Sequence, residues 1–148
     1  ARDTLNLLFA NLPRTRPVRL NKATMHSWLC FSARQLAQGI QVERLGEFIE
    51  IVEGVRTGEA SLESAFPPPS VAHLLIPIFN DRATSRVNDV ASVLLRDAVL
   101  WILLSERERD APQWAALLHA RLHGFSAPRQ AEAALLDEAE RSGWGALR

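Results

Sequence analysis

The hydrophobic patterning of this chain predicts an all-α, single-domain bundle of about six or seven helices around one buried central helix, at about residues 85–109. Three observations carry that expectation. The run Ala98-Val99-Leu100-Trp101-Ile102-Leu103-Leu104 is apolar all round, and a helix without a polar face must be enclosed by protein. Just ahead of it, Val87, Val90, Ala91, Leu94, Leu95 and Ala98 recur at helical spacing, with Asn88, Asp89, Ser92 and Arg96 opposite. Apolar residues elsewhere also keep the helical period, and only residues 71–79 leave a short strand open as an alternative. A chain of 148 residues, 47% hydrophobic and 23% charged, has the length of one domain and the composition of a folded one.

Each element has its own signal. Asp3 can cap a short helix over Thr4–Asn11 that buries Leu5, Leu8 and Phe9. Two prolines and alternating arginines between Pro13 and Leu20 then read as an extended basic arm. Asn21 is a good N-cap for a helix from Lys22 to about Gln38, with Met25, Trp28, Leu29, Leu36 and Ile40 as its buried stripe. A third helix is expected over Val42–Arg56, on the period of Val42, Leu45, Phe48, Ile49, Val52 and Val55. Ser61–Phe66 adds a turn, and Pro67-Pro68-Pro69 cannot continue a helix. Ser70 caps Val71–Phe79, where Pro77 predicts a kink or an early stop. Asp81–Ser85 reads as a polar turn into the central helix, of which Leu94, Leu95, Ala98, Trp101 and Ile102 are expected to be nearly fully buried. Pro112 opens a helix over Gln113–His123 that points Trp114, Leu117, Leu118 and Leu122 inward. Ser126 and Pro128 start the last helix, Arg129 to about Arg141, and Gly143 and Gly145 end it.

Charge narrows the function classes. Net charge is zero, so no global field steers the protein to nucleic acid or membrane. Locally, residues 1–42 set Arg2, Arg14, Arg16, Arg19, Lys22 and Arg34 against Asp3 alone. The next segment reverses the balance, with Glu43, Glu47 and Glu50 grouped on one outer helix face. Arg14, Arg16, Arg19 and Lys22 are therefore the candidate binding residues, for a phosphate backbone or an acidic protein face. Glu43, Glu47 and Glu50 are a candidate acidic interaction face. The outline of a helix-turn-helix over Ser32–Glu50 fails on spacing and on those glutamates, which phosphates repel.

Chemistry is harder to find. The single Cys30 excludes an internal disulfide framework and a multi-cysteine zinc site. His26 and Cys30 lie four apart, as a base and nucleophile can, but on a regular helix they read as structural. His119 and His123 share that spacing without further ligands and are expected to face solvent. The carboxylates look scattered over solvent faces, and no glycine-rich phosphate loop occurs. No catalytic residue, metal or cofactor is predicted.

The sequence thus predicts a non-catalytic protein-interaction domain of bacterial type: an adaptor, chaperone, regulator or secreted effector module. Its partner is another protein or a second copy of itself. The alternatives are a nucleic-acid or polyanion binder using the arm, with weak affinity, and an enzyme whose site is assembled by tertiary contacts. Residues 1–4 carry no signal-peptide pattern and no segment is a membrane span, so a cytoplasmic location is expected. The lack of an initiator Met reads as processing or excision from a longer chain. One lysine beside sixteen arginines fits a GC-rich genome or a protein secreted into a host cell and escaping ubiquitination.

Overall fold

A computed structural model describes residues 2–12 and 20–142. Among them the chain is all-α, with no strand: α1 (Arg2–Asn11), α2 (Lys22–Ala37), α3 (Leu45–Arg56), α4 (Leu62–Ala65), α5 (Ala72–Thr84), α6 (Val90–Ser105), α7 (Gln113–Leu122) and α8 (Pro128–Ser142). Helix α6 is the centre, packed by α5, α7, α2 and α8, while α5 also meets α8, α3 and α2. Every residue from Leu95 to Leu104 is buried. An aromatic stack ties this helix to the first half of the chain. Phe31 lies on Trp101 with ring centroids 4.1 Å apart, and Trp28 and Phe48 meet Phe31 edge-on and tilted.

The central helix is shorter than the predicted 85–109. Arg86 adopts a left-handed φ of 50°, and Asp89 caps the new helix by accepting the Ala91 N–H at 3.0 Å. The far end closes after Ser105, where Glu106 and Arg107 donate back to Leu103 and Leu104. Val90, the first helical residue, is 72% exposed, and Leu94 is half-buried rather than enclosed.

Residues 72–79 are helix, capped by Val71, and the helix runs through Pro77 to Thr84. The expected stop at Pro77 and the turn over Asp81–Ser85 are both overridden. Pro77 sits on the exposed side, while Leu74, Leu75, Ile76, Ile78 and Phe79 are all buried. Burial of five large side chains, each worth about 1.5–3 kcal/mol, outweighs the roughly 3 kcal/mol cost of proline inside a helix.

Three buried stripes differ from expectation. Helix α1 buries Leu8, but Leu5 and Phe9 are exposed, Phe9 at 55%. Helix α7 buries Ala115, Leu118 and Leu122; Trp114 is half-buried and Leu117 is exposed. Helix α2 buries Thr24, Ser27, Trp28, Phe31, Ser32 and Gln35, leaving Leu36 exposed. Two of its hydroxyls are satisfied locally, Thr24 Oγ1 donating to the Asn21 carbonyl at 3.1 Å and Ser27 Oγ to the Ala23 carbonyl at 3.0 Å, whereas Ser32 Oγ meets no partner among the described residues. A Ser or Thr so bonded can sit in a core at little cost. Helix α3 keeps its predicted period but starts at Leu45, after Arg44 in a left-handed conformation (φ 54°).

Candidate functional site

The largest departure from the sequence reading is a layer of buried polar and charged groups around α6. Ser92, Arg96 and Asp97 all turn inward. Glu53, Arg82 and Asp97 are buried as well, so the carboxylates are not confined to solvent faces.

Most of these charges are matched. Asp97 Oδ2 accepts from Arg34 Nη2 at 2.8 Å and Nε at 3.0 Å, joining α6 to α2. Burial raises the Asp97 carboxyl above its ordinary range, opposed by Arg34 and then by the Trp101 indole. Glu53 accepts from Trp28 Nε1 at 2.8 Å and Arg56 Nε at 2.5 Å. Burial raises its carboxyl too, against the pull of Trp28 and Arg56. Arg82 clamps Glu132 of α8 through Nε and Nη2 and donates Nη1 to Ser92 Oγ at 3.2 Å. The Arg34–Asp97 and Arg82–Glu132 pairs brace α2 on α6 and α5 on α8, and the Trp28–Glu53 hydrogen bond joins α2 to α3, while Arg56 pairs with Glu53 within α3.

Arg96 is the exception. It is 1% exposed. Nε donates to Ser27 Oγ at 2.8 Å, and Nη1 donates to the carbonyls of Arg82 at 2.6 Å and Val87 at 3.0 Å. All three acceptors are neutral. Burial pulls its guanidinium below the ordinary arginine range, with only Cys30 acting the other way. The residue lines a surface cavity of about 480 Å³ with Asn21, Lys22, His26 and Asn88.

A second depression, of about 340 Å³, runs between α2 and α6. Ala33, Ala37, Val93 and Leu94 form its apolar wall, with Cys30 and Arg34 beside them. His26 Nε2 lies 3.7 Å from Cys30 Sγ. Burial, then Asp97, pushes the Cys30 thiol up. That is opposite to what an activated nucleophile requires, and the thiol is half-buried rather than enclosed.

Of the residues singled out from sequence, Lys22 is exposed on the rim of the larger cavity. Arg14, Arg16 and Arg19 lie outside the described residues. Glu43 and Glu47 share a cleft of about 160 Å³ with Arg44, Phe48, Arg107 and Glu108. Burial, then Glu43 and Asp110, raises the Glu108 carboxyl. The acidic face is therefore partly neutralised, with Glu47 3.6 Å from Arg44 and 3.8 Å from Arg107. Glu50 is half-buried and does not line this cleft. His119 does not point freely to solvent. Its Nε2 is 3.3 Å from Glu106 Oε2, and Glu106 also accepts from Ser70 Oγ and the Val71 N–H, holding the entry to α5.

Among the described residues no group of three His, Cys, Asp or Glu side chains is placed to hold a metal ion. No helix among them is long and apolar enough to cross a membrane. The fold and its surface define a helical domain with two neighbouring depressions, one apolar and one basic. No protein-family model, curated protein or solved structure matches the chain.

Sequence reading missed Arg96, Asn88 and the groove residues. A signal for Arg96 existed: it lies on the same helix face as Val99, Leu100 and Leu103, and an enclosed helix must carry that face inward.

Proposed function

We propose that this is a non-catalytic protein-interaction domain that presents the α2–α6 groove to an apolar segment of a partner protein. The observation that supports it is the apolar wall of Ala33, Ala37, Val93 and Leu94, left uncovered by the described residues. Alanines four apart on α2 allow another helix to approach closely, and the exposed Val90 and Leu36 belong to the same two helices. An amphipathic helix in a groove is a recurring recognition mode. A photo-crosslinking amino acid at Ala33 tests it in the source cells, with Glu59 as a position away from the groove. Discrete protein adducts at Ala33, absent at Glu59 and lost in Val93→Arg, are the expected result. Equal adducts at both positions, or none at Ala33, count against the reading. Light scattering of the purified chain distinguishes a second copy from a foreign partner.

A second reading, polyanion binding through the basic arm, is favoured by Lys22 standing on the rim of a cavity whose lining, among the described residues, holds no carboxylate. Four phosphate contacts from Arg14, Arg16, Arg19 and Lys22 give a slope of log K against log salt of roughly −3 to −4. Oligonucleotide titrations at low salt measure it, and alanine at all four positions should abolish binding with helicity unchanged. An affinity indifferent to salt contradicts this reading.

A further inference from the structure

We propose that the cavity floored by Arg96 is a binding site for a small-molecule phosphate monoester, held by Arg96, Lys22 and the first turn of α2. The inference is independent of the groove; it shares Lys22 with the basic-arm reading but rests on Arg96, which that reading does not use.

It starts from an imbalance of charge. Arg34, Arg56 and Arg82 each meet a carboxylate: Asp97, Glu53 and Glu132. Arg96 is more buried than any of them and meets none among the described residues. A buried charge is ordinarily paired, because removing it from water costs more than neutral hydrogen bonds return. The Arg82 carbonyl belongs to the last turn of α5, and a helix C-terminus supplies about half a negative charge. That leaves the guanidinium short of a counter-charge. Its Nη2 makes no hydrogen bond to another described residue, so donors remain for a ligand.

The surroundings add positive potential without cancelling it. Lys22 and His26 line the same cavity, and no carboxylate among the described residues does. Helix α2 enters there with Asn21 as its cap and no acidic residue in its first turn. A 16-residue helix beginning at the wall brings N–H groups and the positive end of its dipole to the site. Two fixed positive charges and a helix N-terminus suit a dianion better than a monoanion. Asn88, exposed and lining the same cavity, offers an amide to a hydroxyl of the attached group. A volume of about 480 Å³ accepts a phosphate with a small organic substituent.

The experiment is isothermal titration of the full chain with glycerol 3-phosphate, inorganic phosphate and acetate, at fixed ionic strength. Saturable binding of glycerol 3-phosphate, at least tenfold tighter than acetate, is expected. Lys22→Gln and Asn88→Asp, both on exposed rim positions, should each weaken it about tenfold with unchanged circular dichroism. Arg96→Met should remove it. Because Arg96 also holds two carbonyls, that variant is judged only if its helicity is intact, and the rim variants carry the test otherwise. Acetate binding as tightly as the phosphates overturns the phosphate assignment. Phosphate binding unaffected by both rim variants places the site elsewhere, and no saturable binding refutes the proposal outright.

Discussion

Replacing Arg34 by Met leaves Asp97 as a buried carboxylate without its partner, while the methionine retains most of the arginine's apolar stem. Their side chains are 15% and 8% exposed, and two Arg34 nitrogens sit 2.8 and 3.0 Å from Asp97 Oδ2. Breaking a buried pair by removing one member costs about 3–5 kcal/mol, and the partial exposure of Arg34 places this pair at the lower end. The Arg34 guanidinium also stands 5.6 Å from the Trp114 ring centroid, worth about 0.5–1 kcal/mol more. A loss of about 3.5–4 kcal/mol is therefore expected at pH 7, a large share of the 5–15 kcal/mol typical of a domain. The pH dependence has a definite sign. Asp97 in the folded protein already titrates above its ordinary value of 3.8, so its favourable contribution is complete below that value and is lost as pH rises through the folded pKa. Without Arg34 the folded pKa rises further, and the loss continues to higher pH. The gap between parent and variant should widen from acid toward neutral pH. Urea unfolding followed by the fluorescence of the buried Trp28 and Trp101, at pH 5 and pH 7, measures both quantities. Arg34→Met/Asp97→Leu should recover most of the loss, since an apolar pair often replaces an ionic one at little cost. A single-variant loss below about 1 kcal/mol, or a gap that narrows toward neutral pH, refutes the reasoning.

Trp101→Ala removes a fully buried indole from the stack on Phe31 and should cost about 3–5 kcal/mol in the same unfolding assay; a loss under 1 kcal/mol would show the ring is not structural. Gly46→Ala drives a Cβ into the Asn11 carbonyl, a backbone atom that cannot swing aside, so α1 should be displaced. Faster amide exchange in Arg2–Asn11 and a loss of about 1–3 kcal/mol are expected, against unchanged exchange if the contact is absent. Cys30, its thiol pushed up by burial and half-covered, should react with iodoacetamide more slowly at pH 8 in the native protein than in urea. Equal rates in the two states would contradict that environment.

The elements that could be read from one dimension were those whose burial follows from apolar spacing. Val52 and Val55 on α3, and Ala98 to Leu104 on α6, lie where periodicity puts them. The cap at Asn21 was equally readable, because a side chain accepting a nearby N–H is a local event, whereas Asp89, expected inside the central helix, turned out to cap it. What escaped was every choice that depends on the opposing surface. Pro77 stays inside a helix because residues on both sides of it find a core, an energy that no local propensity contains. Leu36, Leu117 and Phe9 are exposed because the neighbouring helix lies over a different stripe. The charged residues show the division most sharply. Arg34, Asp97, Arg82 and Glu132 are separated in sequence by up to 63 residues within one pair and 50 within the other, so only the packing of α2 on α6 and α5 on α8 tells which charge is matched. Arg96 is the remainder of that matching. Its position on the buried face follows from helical geometry alone, whereas its lack of a carboxylate, and the basic cavity above it, follow from which elements the fold brings there.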